Sequence, residues 1–128
     1  MYNSIWYENL VKPQFAPPDW VFAPVWTFLY ITIFVSFVLF KVKPAYNKTL
    51  GYIFFCIQML LNIIWSPAFF VLKNPLLALF IVVLLDVFII LTIYRFYRVS
   101  KISAIVLIPY LLWTLFATYL NLGYLVLN

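Results

Sequence analysis

The sequence contains no histidine and only one cysteine, two glycines and three acidic residues among its 128 positions. The absence of histidine excludes histidine metal sites, catalytic triads and histidine proton shuttles. The single cysteine, Cys56, cannot form an internal disulfide, and its place in an apolar run favours a packing role over a nucleophilic one. Gly51 and Gly123 are too few for a glycine-rich phosphate-binding loop.

Charge is also scarce, whereas apolar and aromatic residues are abundant. Charged residues make up 9% of the chain and hydrophobic residues 68%, with 23% aromatic. Soluble domains carry about 25% charged residues, so this composition excludes a soluble globular domain and a disordered chain. A nucleic-acid partner is not expected despite the net charge of +5, because the charges form short clusters between apolar runs. A membrane helix needs about 20 apolar residues, which leaves room for about four spans.

The hydrophobic runs predict an all-α, polytopic membrane helix bundle with four transmembrane helices. These helices are expected at about 19–40, 50–72, 76–94 and 102–127, and residues 1–18 form an extramembrane segment without a signal-peptide pattern. Six basic residues fall in the regions joining the first helix to the second and the third to the fourth, at positions 41, 43, 48, 95, 98 and 101. The positive-inside rule therefore places these two loops in the cytoplasm and both chain termini outside.

Aromatic, amide and small residues recur at helical spacing in three of the predicted spans. At 100° per residue, each set falls on one stripe of its helix. The stripes comprise Phe22, Trp26 and Tyr30 on the first span, Gln58, Asn62, Trp65, Ser66 and Phe69 on the second, and Tyr110, Trp113, Ala117, Asn121 and Tyr124 on the fourth. In the predicted orientation the three stripes converge at one level in the outer half of the bilayer.

Two interpretations of these stripes are open. Facing aromatic and amide side chains suit a cavity for a flat, largely apolar ligand. Alternatively, the amides bond neighbouring helices and the tryptophans belong to an interfacial belt. The belt accounts less well for Trp65 and Trp113, because they lie deeper than Trp20.

Asp86 lies near the middle of the third predicted span. An ionised carboxylate at that depth is costly, so the side chain is expected to face the bundle and to have a partner. A structural hydrogen bond to Trp, Tyr or Asn of a neighbouring helix is favoured over a proton or ligand relay.

Three blocks of sequence motifs cover nearly the whole chain. They contain Trp6-Tyr7 and Pro24-Val25-Trp26-Thr27 in the first block, Leu61-Asn62 and Trp65-Ser66-Pro67 in the second, and Pro109-Tyr110, Trp113 and Phe116-Ala117-Thr118-Tyr119-Leu120-Asn121 in the third. In this order the blocks resemble the TspO/MBR family of tryptophan-rich sensory proteins and translocator proteins, which include the peripheral benzodiazepine receptor.

This resemblance implies an integral membrane protein that binds porphyrins or other flat tetrapyrroles for sensing, regulation or transport. It also implies a homodimer, a multi-pass location such as a bacterial inner membrane, and no metal or required cofactor. Phe22 belongs to the expected site through the first stripe. The family's pocket-lining positions match Trp26, Tyr30, Asn62, Trp65, Ser66, Phe69, Trp113, Ala117 and Asn121.

The chain departs from the family pattern at both ends. The family has five spans, and the first precedes the Trp6-Tyr7 block, so that helix is expected to be absent unless translation starts upstream of Met1. The family's sterol-recognition segment ends in a basic residue, which is missing here, and this argues against sterol binding. The alternatives to ligand binding are a truncated structural or interaction protein and a porphyrin-degrading enzyme that uses Trp26 and Trp113.

Overall fold

The computed structural model describes residues 21–68 and 74–127, apart from the side chains of Phe22 and Ser66. In these two ranges the chain is helical and contains no strand. The helices are α1 (Phe22–Val42), α2 (Thr49–Ser66), α3 (Pro75–Tyr97), α4 (Lys101–Val106) and α5 (Ile108–Leu127). The predicted all-α membrane bundle is confirmed, whereas the segment 1–18 lies outside the described residues.

Three helical stretches of the described chain are long and apolar enough to cross a membrane. They are Ala23–Val42, Pro75–Tyr97 and Lys101–Leu127, and α4 and α5 together make the last of them, interrupted at Leu107. The fourth apolar stretch, Thr49–Trp65, is shorter. It ends in a π-type turn at residues 67–68, and the rest of the predicted span 50–72 lies outside the described residues.

The local sequence explains where α3 and α4 begin. The Asn74 side chain accepts a hydrogen bond from the Leu77 backbone N–H at 3.1 Å, and Pro75 occupies the first helical position. Ser100 caps α4 in the same way by accepting from the Ser103 N–H at 3.4 Å. Both arrangements satisfy backbone donors that a helix start leaves free, and Pro loses nothing at the first position.

The bundle is built around α3, which packs against α2, α4 and α5. The α4–α5 span packs against α1 as well as against α3. Two buried serines join α1 to α4, because Ser36 Oγ donates to the Ser103 carbonyl at 2.7 Å and Ser103 Oγ donates to the Ser36 carbonyl at 2.6 Å. The α1–α2 and α3–α4 loops therefore lie at the same end of the bundle, which we call the basic end.

Aromatic rings close the bundle near the basic end. Phe40 is fully buried, and its ring stacks on Phe96 with the centroids 4.0 Å apart and contacts the edge of Tyr52 at 5.1 Å. Gly51 makes room for this ring, because a Cβ at position 51 would lie 2.7 Å from Phe40 Cζ. The glycine is thus required by the close approach of the Phe40 ring to the first turn of α2.

We expect Gly51→Ala to lower the free energy of unfolding by about 1 kcal/mol. Overpacking a fixed ring costs about 1–3 kcal/mol, and this outweighs the gain of up to about 1 kcal/mol in helix propensity. Thermal unfolding in detergent measures the change. Cys56→Leu on the same helix is the control, because Cys56 is exposed. A Gly51→Ala variant as stable as the parent chain would contradict this account of Phe40.

Candidate functional site

Polar side chains from α1, α2 and α5 form a line of hydrogen bonds across the bundle. The Tyr30 hydroxyl donates to Asn62 Oδ1 at 2.7 Å, and Asn62 Nδ2 donates to the Tyr110 hydroxyl at 2.8 Å. Tyr110 then donates to Gln58 Oε1 at 2.6 Å. We call these four residues the polar chain. It runs from Tyr30, which is 43% exposed, to three buried side chains.

The inner end of the polar chain contains an amide nitrogen without a partner among the described residues. Gln58 is 1% exposed, and its Nε2 has no hydrogen-bond partner in the described part of the protein. An amide nitrogen without a partner is costly in an apolar environment. The buried end of the polar chain therefore carries an amide nitrogen that no described residue satisfies.

A second set of polar contacts lies further along α2. Trp65 Nε1 donates to Asn121 Oδ1 at 3.0 Å, and Asn121 Nδ2 donates to the Pro75 carbonyl at 2.8 Å. Asn121 is 1% exposed. Gln58 and Trp65 are seven residues apart, so the polar contacts extend about 10 Å along α2, away from the basic end.

Tryptophans lie beside these polar groups. Trp26, Trp65 and Trp113 are each half-buried, and each packs against both hydrophobic clusters of the bundle. The Trp26 ring lies 5.7 Å from the ring of Tyr30, the outer member of the polar chain. Their incomplete burial leaves part of each indole surface uncovered by the described residues, next to amide and hydroxyl groups.

The described structure contains seven of the ten predicted site residues: Trp26, Tyr30, Asn62, Trp65, Trp113, Ala117 and Asn121. It joins Tyr30 to Asn62 and Trp65 to Asn121 directly. Three members of the predicted site lie outside the described residues: Phe69 and the side chains of Phe22 and Ser66.

The site prediction omitted two members of the polar chain, Gln58 and Tyr110. Tyr110 joins the amides of Asn62 and Gln58, and all three side chains are buried. The signal was present in the sequence, because Gln58 precedes Asn62 by one helical turn and Tyr110 precedes Trp113 by three residues. Both residues therefore share the faces from which the other site residues were chosen.

Asp86 on α3 has a different partner from those predicted. Thr118 Oγ1 of α5 donates to Asp86 Oδ2, so the expectation of a Trp, Tyr or Asn partner was wrong. The side chain is 7% exposed, and Oδ1 has no hydrogen-bond partner within the described ranges. A threonine hydroxyl suffices because a carboxylate only accepts hydrogen bonds, and any O–H on the facing helix can supply one.

The fold and the site define a multi-pass membrane helix bundle with a tryptophan-lined polar centre. The TspO/MBR family profile matches residues 1–127, and the chain belongs to this family. The family resemblance seen in the three motif blocks and the multi-pass membrane location are thereby confirmed.

Named relatives include bacterial and animal proteins. The tryptophan-rich protein TspO of Chlorobaculum tepidum is 45% identical over 127 residues, which cover 98% of this chain and 80% of that protein. The tryptophan-rich sensory protein of Cereibacter sphaeroides is 33% identical over 96% of this chain and 77% of its own length. The translocator protein of Homo sapiens is 35% identical over 91% of this chain and 70% of its own length.

Proposed function

We propose that this protein binds porphyrins or similar flat tetrapyrroles at the bundle centre, for sensing, regulation or transport. The observation that carries the proposal is the placement of three half-buried tryptophans beside the polar chain. A porphyrin combines a flat apolar ring with carboxylates at its edge. Indole faces suit the ring, and a few fixed N–H and O–H groups suit the carboxylates and set the ligand's orientation.

The two ends of the polar chain support a binding role over packing alone. Buried polar groups that serve only to join helices are normally satisfied by each other. Here the Tyr30 side is partly exposed, and Gln58 Nε2 has no partner in the described ranges. A ligand with carboxylate or carbonyl oxygens would supply an acceptor for the Gln58 amide, whereas the Tyr30 hydroxyl, which donates to Asn62, could accept a hydrogen bond from a ligand donor.

We further propose that the protein is a homodimer in a bacterial inner membrane with its basic end in the cytoplasm and both termini outside. The basic loop residues support this orientation, because Lys and Arg are enriched in short cytoplasmic loops. The bacterial relatives support the membrane, since C. tepidum and C. sphaeroides proteins match nearly the whole chain. The homodimer rests on the family resemblance.

Porphyrin titration of the detergent-solubilised chain tests the binding proposal. We expect saturable quenching of tryptophan fluorescence, together with a shift of the porphyrin absorption band. The Trp113→Ala, Asn62→Ala double variant is expected to bind at least about tenfold more weakly, because it loses an aromatic face and the central amide, each worth about 1 kcal/mol.

The control is Phe80→Ala, which removes an aromatic ring that is 65% exposed on α3. The absorption shift keeps the comparison valid, because it does not depend on the number of tryptophans. Unchanged affinity in the double variant would contradict the assigned site. A well-folded parent chain without saturable porphyrin binding would favour a structural or interaction role.

A further inference from the structure

A cavity of about 460 Å³ opens at the basic end of the bundle. The α1–α2 loop lines one side of it. Arg95 in the last turn of α3 and Arg98, which directly follows that helix, line the other. Phe40, which also lines this cavity, lies ten residues after Tyr30, about 15 Å along α1. We call it the arginine cavity, and it is separate from the tryptophan-lined centre.

No acidic group among the described residues compensates the two guanidinium groups in the arginine cavity. Arg95 is half-buried and its side chain has no hydrogen bond or ion pair within the described ranges. Arg98 donates one hydrogen bond to the Tyr94 hydroxyl at 3.1 Å, which leaves its other N–H groups available. The carboxylate side chain in the described residues, Asp86, precedes Arg95 by nine positions, about 14 Å along α3.

Lys48 offsets the negative end of α1 beside the cavity, so that this helix end does not repel an anion. A helix carboxyl end carries partial negative charge on its free carbonyls. Lys48 Nζ donates to the carbonyls of Phe40 at 2.8 Å and Lys41 at 3.1 Å, which neutralises them. Asn47 turns the loop so that Lys48 can reach back, with a left-handed φ of 58° that asparagine tolerates better than most residues.

We propose that the arginine cavity binds the phosphate of an anionic phospholipid headgroup. Paired guanidinium groups bind phosphate oxygens through directed, charge-assisted hydrogen bonds. The cavity lies where the apolar spans end, and Tyr46 in its wall is 96% exposed. Exposed Val42 and Tyr97 close by, at 68% and 51%, provide contacts for the lipid's glycerol and upper acyl chains. These neighbours favour a lipid over a free phosphate.

Lipid binding to the full chain in an uncharged detergent tests this proposal. We expect phosphatidylglycerol to raise the unfolding temperature more than phosphatidylcholine does, and native mass spectrometry to show a retained phosphatidylglycerol. The Arg95→Gln, Arg98→Gln variant is expected to bind phosphatidylglycerol about tenfold more weakly, through the loss of charge-assisted hydrogen bonds. An Arg95→Lys, Arg98→Lys variant keeps both charges but loses the planar guanidinium groups. Its affinity for phosphatidylglycerol is expected to lie between those of the parent chain and the Arg95→Gln, Arg98→Gln variant.

The matched control is Lys43→Gln, Lys101→Gln, which removes the same charge at the same end but outside the arginine cavity. It is expected to keep most of the preference for phosphatidylglycerol. An equal loss in both Gln pairs would overturn the proposal in favour of diffuse charge attraction. The lipid assignment would also be overturned if the parent chain showed no preference, or if inorganic phosphate displaced the lipid and stabilised the protein equally well. If the Arg95→Gln, Arg98→Gln variant does not fold, the Arg95→Lys, Arg98→Lys variant provides the test. Phosphatidylglycerol binding by that variant as tight as by the parent chain would then overturn the proposal.

Discussion

Tyr110→Phe is expected to lower the free energy of unfolding by about 2–3 kcal/mol and to weaken porphyrin binding. The Tyr110 hydroxyl accepts a hydrogen bond from Asn62 and donates one to Gln58, and its side chain is 1% exposed. Phenylalanine fills nearly the same space but leaves two buried amide groups without this partner. Each unsatisfied buried group costs about 1–3 kcal/mol.

This expected loss exceeds the average of about 0.6 kcal/mol for a hydrogen bond between membrane helices. The reason is that one hydroxyl serves two partners, so its removal breaks the polar chain in the middle. Tyr52→Phe is the matched control, because the Tyr52 ring packs on Phe37 and Phe40 without a hydrogen bond to its hydroxyl in the described residues.

Both Tyr variants are compared by detergent unfolding and by porphyrin titration. A Tyr110→Phe variant that loses no more stability than Tyr52→Phe would show that the polar chain does not act as a unit. A stability loss without a change in porphyrin affinity would limit the polar chain to packing and remove it from the proposed site.

The fold could be predicted from the sequence to a large extent because a membrane permits few alternatives. A chain in lipid must satisfy its backbone groups internally, so long apolar runs become helices. The break between α4 and α5 also follows from the sequence, because Pro109 lies near the start of the last span. Proline lacks an N–H, which leaves the Ile105 carbonyl without its usual partner. The chain adjusts at Leu107, whose N–H bonds the Ala104 carbonyl at 3.1 Å.

The sequence predicted which face of each helix contributes to the candidate site, but not which side chains pair between helices. Helical spacing identified the stripes that contain Asn62 and Asn121, because amides in a bilayer need partners. Spacing does not give the rotation of one helix against another, so it did not pair Asn62 with Tyr110 or Trp65 with Asn121. Those pairs depend on the depth and tilt at which the helices pack.

The sequence gives even less information about the hydrogen-bond partners of individual serine and threonine side chains. A serine or threonine in a helix can bond a carbonyl of its own preceding turn, so its presence implies no partner elsewhere. Thr92 does this with the Phe88 carbonyl at 2.6 Å. Ser36, in contrast, bonds Ser103 across the α1–α4 contact. Thr118 does both, because its hydroxyl contacts the Thr114 carbonyl of its own helix at 2.9 Å and Asp86 across the α3–α5 contact. The sequence does not distinguish these cases.

Thr118→Val is expected to lower the free energy of unfolding by about 2 kcal/mol, and adding Asp86→Leu is expected to restore most of that loss. Valine keeps the shape of threonine but removes the hydroxyl that donates to Asp86 Oδ2. Removing one partner of a buried hydrogen bond leaves the other group unsatisfied and costs about 1–3 kcal/mol, whereas replacing both partners by apolar residues of similar shape can be nearly neutral. Asp86 is buried and Thr118 only partly so, which places the expected value near the middle of this range.

A double-mutant cycle in detergent separates this contact from general effects of substitution. Thr92→Val is the control, because Thr92 is buried on α3 and bonds its own helix. Its loss is expected to stay below about 1 kcal/mol, the net value of an ordinary hydrogen bond. A large coupling between positions 86 and 118 would mean that the Asp86–Thr118 contact docks α5 on α3. A coupling near zero would mean that other groups hold the carboxylate and that this hydrogen bond does not determine how the two helices pack.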